Sequence, residues 1–348
     1  MSIPGAGLVA AAHQGVVALR NRLYDSGRLK VRSLPRPVIS VGNLTLGGTG
    51  KTPLVESLAR LLADEGNLVC ILSRGHAGVR RTEPLLVADL RRLHAGPSVA
   101  GDEPYLLARR LPGVSVVVGA NRHAAGLFAL ERLPVHLFLL DDGFQHRGLR
   151  RDLDLVLVDA TNPWGGNHLL PAGTLREPRT ALRRAHAIGL TRLHQCDGSA
   201  ARALQEEIQK IAPGVPLFGT RARLTGLRRV GARGILPVSA VSGRNVLAFA
   251  GIGRPDSFFA DLESLGARIV ARRAFQDHHP YTRFDMARLL EVASSSGAEM
   301  LVTTEKDAVR LPPPPGNAPA FLALRQSVEA EDPAALLRFI VSKLPGTK

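Results

Sequence analysis

The chain has 348 residues, enough for two domains with a core in each, and its 45% apolar but only 4% aromatic residues favour a soluble α/β protein over one that stacks nucleic-acid bases. A net charge of +15 predicts an anionic partner. Composition does not distinguish among nucleic acid, anionic lipid and a phosphorylated substrate, and a basic surface that is merely solvated is the alternative. The two cysteines, Cys70 and Cys196, lie far apart in the sequence, which argues against a disulfide framework and a zinc site and indicates a reducing compartment.

The N-terminal segment, residues 3–24, is predicted to be an amphipathic helix. Its apolar face consists of Leu8, Ala12, Val16, Leu19 and Leu23. Polar residues interrupt the segment too often for a spanning helix, which needs about twenty continuous apolar residues. Six basic residues between positions 20 and 36 would meet anionic headgroups. We therefore expect residues 1–30 to form an interfacial helix, and packing of the helix on its own domain is the equal alternative.

A glycine cluster follows a β-branched strand that begins at residue 38, and an amphipathic helix follows the cluster. Glycines let the backbone turn tightly, so that several N–H groups converge on a polyphosphate. Lys51 would reach the β- and γ-phosphates, and the Thr52 hydroxyl would bind Mg²⁺. Thr45 stands where the common pattern G-x-x-x-x-G-K-[ST] has glycine, so the loop is a variant. The predicted nucleotide-binding residues are Thr45, Gly47, Gly48, Thr49, Gly50, Lys51 and Thr52.

Acidic residues follow two of the predicted strands in the central part of the chain. The predicted buried strands here are residues 68–73, 114–118, 135–140 and 153–158. Asp141 and Asp142 follow the third strand and Asp159 follows the fourth, and an acid at either position would suit Mg²⁺. Two adjacent acids, with Gln145 and His146 at the same carboxyl edge of the sheet, favour the first position.

Turn-rich segments separate these strands. Residues 77–100 are predicted to be loop. Residues 101–104 open a helix with proline in its first turn, where Asp102 makes a good N-cap whatever its function. Residues 162–179 form a long loop rich in proline and glycine in which Arg176 and Glu177 stand out, and loops of this length in compact domains are often functional.

The element order predicts two α/β domains. Residues 31–220 are expected to form a parallel sheet with helices on both faces, as in phosphate-loop NTPases, and to close with a strand at 216–219. An alternating, Gly- and Arg-rich pattern at 221–243 predicts a two-stranded linker. A new strand, turn and helix then begin a smaller α/β domain at residues 244–348.

Six motifs together resemble a known family. They are V-G-N-L-T-L-G-G-T-G-K-T-P from residue 41, G-D-E-P from 101, D-D-G-F-Q-H from 141, L-R-E-P from 175, D-H-H-P-Y from 277 and T-E-K-D from 304. This ordered set is similar to the bacterial lipid A 4′-kinases (tetraacyldisaccharide 4′-kinases), whose loop shares the Thr45 variation. The resemblance implies a Mg²⁺-dependent transfer of the γ-phosphate of ATP to the 4′-hydroxyl of a tetraacyl glucosamine disaccharide.

The resemblance also implies residue roles. Asp102 would take the hydroxyl proton, assisted by His278, and Lys51 and Asp142 would complete the catalytic set. The implied metal ligands are Thr52, Asp141 and Glu177, and the implied substrate contacts are Arg122, Gln145, His146 and Arg176. Whether His278 or His279 is catalytic stays open at this point.

The same resemblance places the enzyme on the cytoplasmic face of the bacterial inner membrane, against an anionic surface. We expect a monomer that binds no nucleic acid. For Lys306 and Asp307, a plain turn and a loop that contacts the nucleotide base are equal alternatives. A phosphate-loop ATPase or GTPase acting as a switch or nucleic-acid motor is the alternative function, although the chain lacks a helicase-like motif and a basic patch interleaved with aromatic residues.

Overall fold

The structure, a computed structural model, describes residues 6–75, 78, 82–232, 234–316 and 318–344. Side chains are described from residue 13 onward, so those of Leu8 and Ala12 in the predicted apolar face lie outside the described set. Within these ranges, no helix has both the length and the apolar character needed to cross a bilayer.

Helices and strands alternate along most of the chain. The helices are α1 (Ala6–Asp25), α2 (Lys51–Asp64), α3 (Pro97–Ala100), α4 (Asp102–Arg110), α5 (Arg122–Arg132), α6 (Gly198–Ile211), α7 (Pro255–Ser264), α8 (Arg283–Ser296), α9 (Glu305–Ala308) and α10 (Pro333–Lys343). The strands are β1 (Val38–Asn43), β2 (Val69–Ser73), β3 (Leu85–Ala88), β4 (Ser115–Val118), β5 (Leu137–Asp141), β6 (Leu153–Asp159), β7 (Ala187–Thr191), β8 (Leu217–Arg229), β9 (Ile235–Leu236), β10 (Asn245–Ala250), β11 (Arg268–Ala274), β12 (Met300–Thr304) and β13 (Ala320–Ala330).

These strands form one continuous sheet in the order β11-β10-β12-β13-β8-β7-β6-β1-β5-β2-β4-β3, with β9 paired to β8. Neighbouring strands are parallel except in the pairs β3–β4, β8–β13 and β8–β9. β1 lies between β5 and β6, and all three are parallel. Because the carboxyl ends of parallel strands meet at one edge of a sheet, the segments that follow these three strands come together there.

The alternation of side chains along the strands explains why helices cover both faces. Ile39 and Leu139 pack with Leu58 of α2 on one face. Phe138 packs with Ala125 of α5 on the other face. The predicted α/β fold class is therefore confirmed.

The loop predicted at residues 77–100 is partly wrong. β3 lies within it, pairs antiparallel with β4 and forms the edge of the sheet, and the short helix α3 follows. The apolar run of β3 is only four residues long, and its strand conformation depends on pairing with β4 rather than on a local pattern.

Two parts of the predicted two-stranded linker at residues 221–243 belong to the main sheet: residues 221–229, which continue β8, and β9. β8 begins beside β7 and continues beside β13, so the expected domain boundary at residue 220 falls inside a strand. β9 does pair antiparallel with β8, which accounts for the two-stranded pattern. The second half of the chain is thus joined to the first by a shared strand.

Candidate active site

The loop between β1 and α2 has the backbone geometry of a phosphate-binding turn. Gly47 and Gly50 have φ angles of 113° and 86°, a region that L side chains rarely adopt. Gly50 is the N-cap of α2, so Lys51 and Thr52 are its first residues and the positive end of the helix lies at the loop. Two threonines of the loop, Thr45 and Thr49, are buried. The seven predicted nucleotide-binding residues therefore lie together in this loop and the first turn of α2, at the carboxyl edge of the sheet.

The long loop before residue 179 lies against the phosphate loop. The Leu46 N–H donates to the Thr174 carbonyl at 2.7 Å, and the Arg176 N–H donates to the Leu44 carbonyl at 2.7 Å. These bonds fix the L-R-E-P segment beside β1. As a result, Arg176 Nη1 lies 2.7 Å from Asp142 Oδ2.

Asp141, the last residue of β5, and Asp142, which follows it, face the first residues of α2. Thr52 Oγ1 lies 3.4 Å from Asp141 Oδ1, and Lys51 Nζ lies 3.7 Å from Asp142 Oδ1. Burial, together with the charges of Glu103 and Asp142, raises the pKa of Asp141 to about 7. Burial also lowers the pKa of Lys51, which Asp142 partly opposes. Asp142 has a φ of 56°, a strained backbone state for a non-glycine residue and one that clusters at functional sites.

The predicted substrate contacts lie around this acid pair. Burial lowers the pKa of Arg122 to about 10, and its Nη1 donates to two backbone carbonyls of the preceding turn. Burial and the nearby guanidinium of Arg122 lower the pKa of His146 to about 4, so this imidazole is neutral at pH 7. Gln145 donates to the Asn43 carbonyl at 2.9 Å and accepts from Arg176 at 3.4 Å.

Glu177 contacts the N-terminal helix and a neighbouring arginine. It is buried, its Oε2 accepts from Asn21 of α1 at 3.1 Å, and it forms an ion pair with Arg184 at 2.7 Å. Arg20 of α1 also donates to the Gln145 carbonyl. The contacts found for Glu177 do not include Thr52 or Asp141, so its role as a metal ligand stays a prediction.

One side of α1 docks on the rest of the protein and another side is exposed. Arg147 contacts Asp25 at 2.5 Å, and its guanidinium lies 5.1 Å from the centre of the Tyr24 ring. Val16 and Leu19, in contrast, are 65% and 59% exposed. An apolar face left in solvent is what an interfacial helix requires.

Asp102 joins the two halves of the protein. Gly101 is the N-cap of α4, so the alternative that Asp102 serves as the N-cap is wrong. The Asp102 carboxylate is buried and instead lies 3.0 Å from His278 Nδ1 and 3.3 Å from Arg310 Nε. His278 has a φ of 61°, so its backbone is strained as well. The neighbouring His279 faces Asp285, at 3.3 Å, which identifies His278 as the partner of Asp102.

Asp159, the alternative acid, has different neighbours. It accepts from Thr161 at 2.7 Å and forms ion pairs with Arg192 and with Arg254, the latter at 3.3 Å. Arg192 also donates to the Gly48 carbonyl at 2.8 Å. Asp159 therefore orders arginines beside the phosphate loop, and Asp141 is the acid that faces the Thr52 hydroxyl.

Glu103, Lys306 and Arg310 are absent from the catalytic residues predicted from the sequence, yet all three lie at the contact between Asp102 and His278. Lys306 Nζ lies 3.4 Å from Glu103 Oε1 and 3.1 Å from His278 Nε2. The motifs G-D-E-P and T-E-K-D contain two of these residues. Only the fold shows that the two motifs meet.

Thr52 and Asp141 fit a magnesium ion by their chemistry. A hydroxyl and a carboxylate are the hard oxygen donors that Mg²⁺ prefers, and Mg²⁺ normally keeps several waters and phosphate oxygens as its other ligands. Desolvation of Asp141 disfavours its charge, and a cation at this position would compensate for that cost. Among the described residues, no group of three or more His, Cys, Asp or Glu side chains is arranged to bind a metal ion by itself.

Comparison with known proteins identifies the family. The family model described as tetraacyldisaccharide-1-P 4′-kinase (LpxK) matches residues 7–345. The chain belongs to this family. A tetraacyldisaccharide 4′-kinase of Geobacter metallireducens is 45% identical over 297 residues, covering 85% of each chain. Another, of Anaeromyxobacter sp., is 44% identical over 312 residues, covering 90% of this chain and 83% of the relative.

A solved kinase structure has the same fold. It is described as the apo form of LpxK from Aquifex aeolicus in complex with ATP, is 36% identical, and superposes with a TM-score of 0.79 over 98% of this chain and 99% of its own. Membership of the kinase family confirms the resemblance and contradicts the alternative of a nucleotide switch or nucleic-acid motor.

Proposed function

We propose that this chain transfers the γ-phosphate of ATP to the 4′-hydroxyl of a tetraacyl glucosamine disaccharide. The family supports the substrate class, and the contact between Asp102 and His278 is the observation that carries the mechanism. One member of this pair begins helix α4 of the first domain, and the other follows β11 in the second domain. A proton acceptor built from both domains is suited to a substrate that enters between them.

The phosphate loop supplies the charges that phosphoryl transfer requires. Lys51 and the N-terminus of α2 would neutralise the phosphates, and Arg176 would add a guanidinium beside the acid pair. Thr52 and Asp141 would hold Mg²⁺, with Glu177 as a further predicted ligand. Held there, Mg²⁺ would supply positive charge that offsets the negative charge of the ATP phosphates.

Asp102 would accept the proton of the sugar hydroxyl. As the hydroxyl oxygen bonds to the γ-phosphorus, the bridging P–O bond of ATP breaks, ADP leaves, and the proton passes to the Asp102 carboxylate. Arg310 and His278 hold this carboxylate in place at 3.3 Å and 3.0 Å. The four polar side chains proposed to bind the sugar and its phosphate are Arg122, Gln145, His146 and Arg176.

The protein would work on the cytoplasmic face of the bacterial inner membrane, as a monomer without a nucleic-acid partner. A tetraacylated substrate stays in the bilayer, so its kinase must bind at the membrane surface. The exposed Val16 and Leu19, followed by basic residues up to Arg36, support this location because apolar burial and attraction to anionic lipids add.

Transfer of ³²P from γ-labelled ATP to a tetraacyldisaccharide 1-phosphate in mixed micelles tests this proposal. We expect label in the lipid product with the wild type and with Lys210→Met, which removes an exposed lysine of α6. Lys51→Met should leave only background. Release of free labelled phosphate without labelled lipid would show an ATPase and would contradict the proposal.

A further inference from the structure

His278 has a different charged partner at each ring nitrogen. Its Nδ1 lies 3.0 Å from Asp102 Oδ2, and its Nε2 lies 3.1 Å from Lys306 Nζ. A lysine ammonium carries three donors and no acceptor. The Nε2 atom can therefore bond to Lys306 only by accepting, and the ring proton of a neutral imidazole must then be on Nδ1, where it points at Asp102.

Lys306 is held as a charged donor by acids on two sides. Its Nζ lies 3.4 Å from Glu103 Oε1 and 3.5 Å from Asp277 Oδ1. Both carboxylates are salt-bridge partners of the ammonium, which has no acceptor atom and so faces the ring only as a donor. The direction of the bond between Lys306 and His278 is thereby fixed.

The segments that carry His278 and Lys306 are tied to each other. The His278 N–H donates to the Gly251 carbonyl at 3.2 Å, and the Gly251 N–H donates to Asp307 Oδ1 at 3.1 Å. Thr304 caps α9 by accepting from the Asp307 N–H at 3.0 Å. These bonds hold the segments that carry His278 and Lys306 side by side, so that the Lys306 side chain can reach Nε2.

We propose that Lys306 is a positioning residue that selects the Nδ1–H tautomer of neutral His278 and so directs this N–H at the Asp102 carboxylate. The catalytic consequence of this inference rests on the proposed function. The tautomer of His278 does not depend on that function and can be observed by itself. In this tautomer, His278 is a donor to Asp102 and cannot remove a proton from it, so the proton of the sugar hydroxyl ends on Asp102.

The charges around the ring favour this arrangement. An N–H on Nε2 would face the Lys306 ammonium at 3.1 Å, which is electrostatically unfavourable, whereas an N–H on Nδ1 faces the Asp102 carboxylate at 3.0 Å. Asp277 favours a proton on Nε2, because its Oδ1 lies 4.0 Å from that atom. Lys306 makes the closer contact with Nε2, so it decides which atom carries the proton.

Three substitutions separate this role from simple packing. Lys306→Met keeps the length of the side chain and removes the donor. Lys306→Arg keeps a side chain that can only donate, so it should rescue the wild-type tautomer. Lys306→Gln carries a carbonyl that can accept from Nε2–H, so it permits the opposite tautomer.

The direct readout is a long-range ¹H–¹⁵N correlation spectrum of the full chain labelled with ¹⁵N-histidine at pH 8. The signals of His278 are identified by their loss in His278→Gln. We expect the Nδ1–H pattern in the wild type and in Lys306→Arg, and a mixture of tautomers or mainly Nε2–H in Lys306→Met and Lys306→Gln. A wild-type imidazole that is mainly Nε2–H or doubly protonated would overturn the inference, and so would an unchanged spectrum in Lys306→Met.

Turnover of the lipid substrate gives the second readout. Lys306→Met should lower kcat by about tenfold or more, within the roughly 10²- to 10⁴-fold that a positioned general base provides, with little change in the KM for ATP. Lys306→Arg should recover most of that loss. If the spectra show the expected tautomers but the wild type does not phosphorylate the lipid, the proposed function alone is overturned. If every variant phosphorylates the lipid at the normal rate, the role of Lys306 is overturned.

Discussion

Replacement of Asp141 by asparagine should make the protein more stable when Mg²⁺ is absent. Asp141 is buried, and its pKa rises from the usual 3.8 to about 7 because burial and nearby acids disfavour its charge. An asparagine at this position resembles the protonated acid in shape and charge. The substitution therefore removes a charge that the folded state tolerates poorly.

The size of the effect follows from the two pKa values. A carboxyl whose pKa is higher in the folded state contributes stability while it is protonated, and this contribution is lost as the pH rises from 3.8 toward 7. With a pKa of 3.8 in the unfolded chain and about 7 in the folded protein, the charge of Asp141 costs roughly 4 kcal/mol of stability at pH 8 and roughly 2 kcal/mol at pH 5. The stability of Asp141→Asn relative to the wild type should thus increase by roughly 2 to 3 kcal/mol between pH 5 and pH 8.

Urea unfolding of both proteins at the two pH values, with EDTA present, measures this difference. Asp64→Asn at the exposed end of α2 serves as the matched control and should show almost no pH-dependent change. Saturating Mg²⁺ and ATP should stabilise the wild type and should affect Asp141→Asn less. A relative stability of Asp141→Asn that stays constant or falls from pH 5 to pH 8 would refute the reasoning about this carboxyl.

Three further predictions concern the phosphates, the base and the membrane. Lys51→Met should reduce phosphoryl transfer by roughly 10³-fold without loss of stability in urea, because the buried ammonium acts chiefly on the transition state; normal turnover would exclude that role. Asp102→Asn should lower kcat by about 10²- to 10⁴-fold with little change in ATP binding measured by calorimetry. A loss of stability with normal kcat would show that the carboxylate has only a structural role. Val16→Glu combined with Leu19→Glu should release the protein from anionic vesicles in a sedimentation assay while ATP binding persists, whereas Val341→Glu, at another exposed apolar position, should not.

The parts of the site that depend on short-range patterns were predictable from the sequence. Lys51 and Thr52 begin the helix that follows β1, and Asp141 ends β5, which is parallel to β1. Because the carboxyl ends of parallel strands lie at the same edge of a sheet, these three residues are expected to lie close together. The contact between Asp102 and His278 was implied only by the resemblance to a family. No local pattern links two residues that lie 176 positions apart.

The arrangement of the second half depends on tertiary pairing. From residue 221 onward, β8 has a Gly- and Arg-rich pattern with several exposed side chains, which is typical of a linker. Its pairing with β13 places this part of the strand in the central sheet. For Lys306, the sequence allows a plain turn and a base-contacting loop equally. Its contact with His278 requires that α9 and the loop after β11 lie side by side, which sequence spacing does not reveal.

The position of the new phosphate on the product tests the central claim most directly. Wild-type protein, ATP, Mg²⁺ and a tetraacyldisaccharide 1-phosphate are incubated, and the isolated lipid is examined by two-dimensional ¹H–³¹P NMR. Coupling of the second phosphorus to the proton on carbon 4′ is the result that the account predicts, with no such signal after incubation with Lys51→Met. Phosphorus coupled to any other sugar position, or a lipid that gains no phosphate, would contradict it.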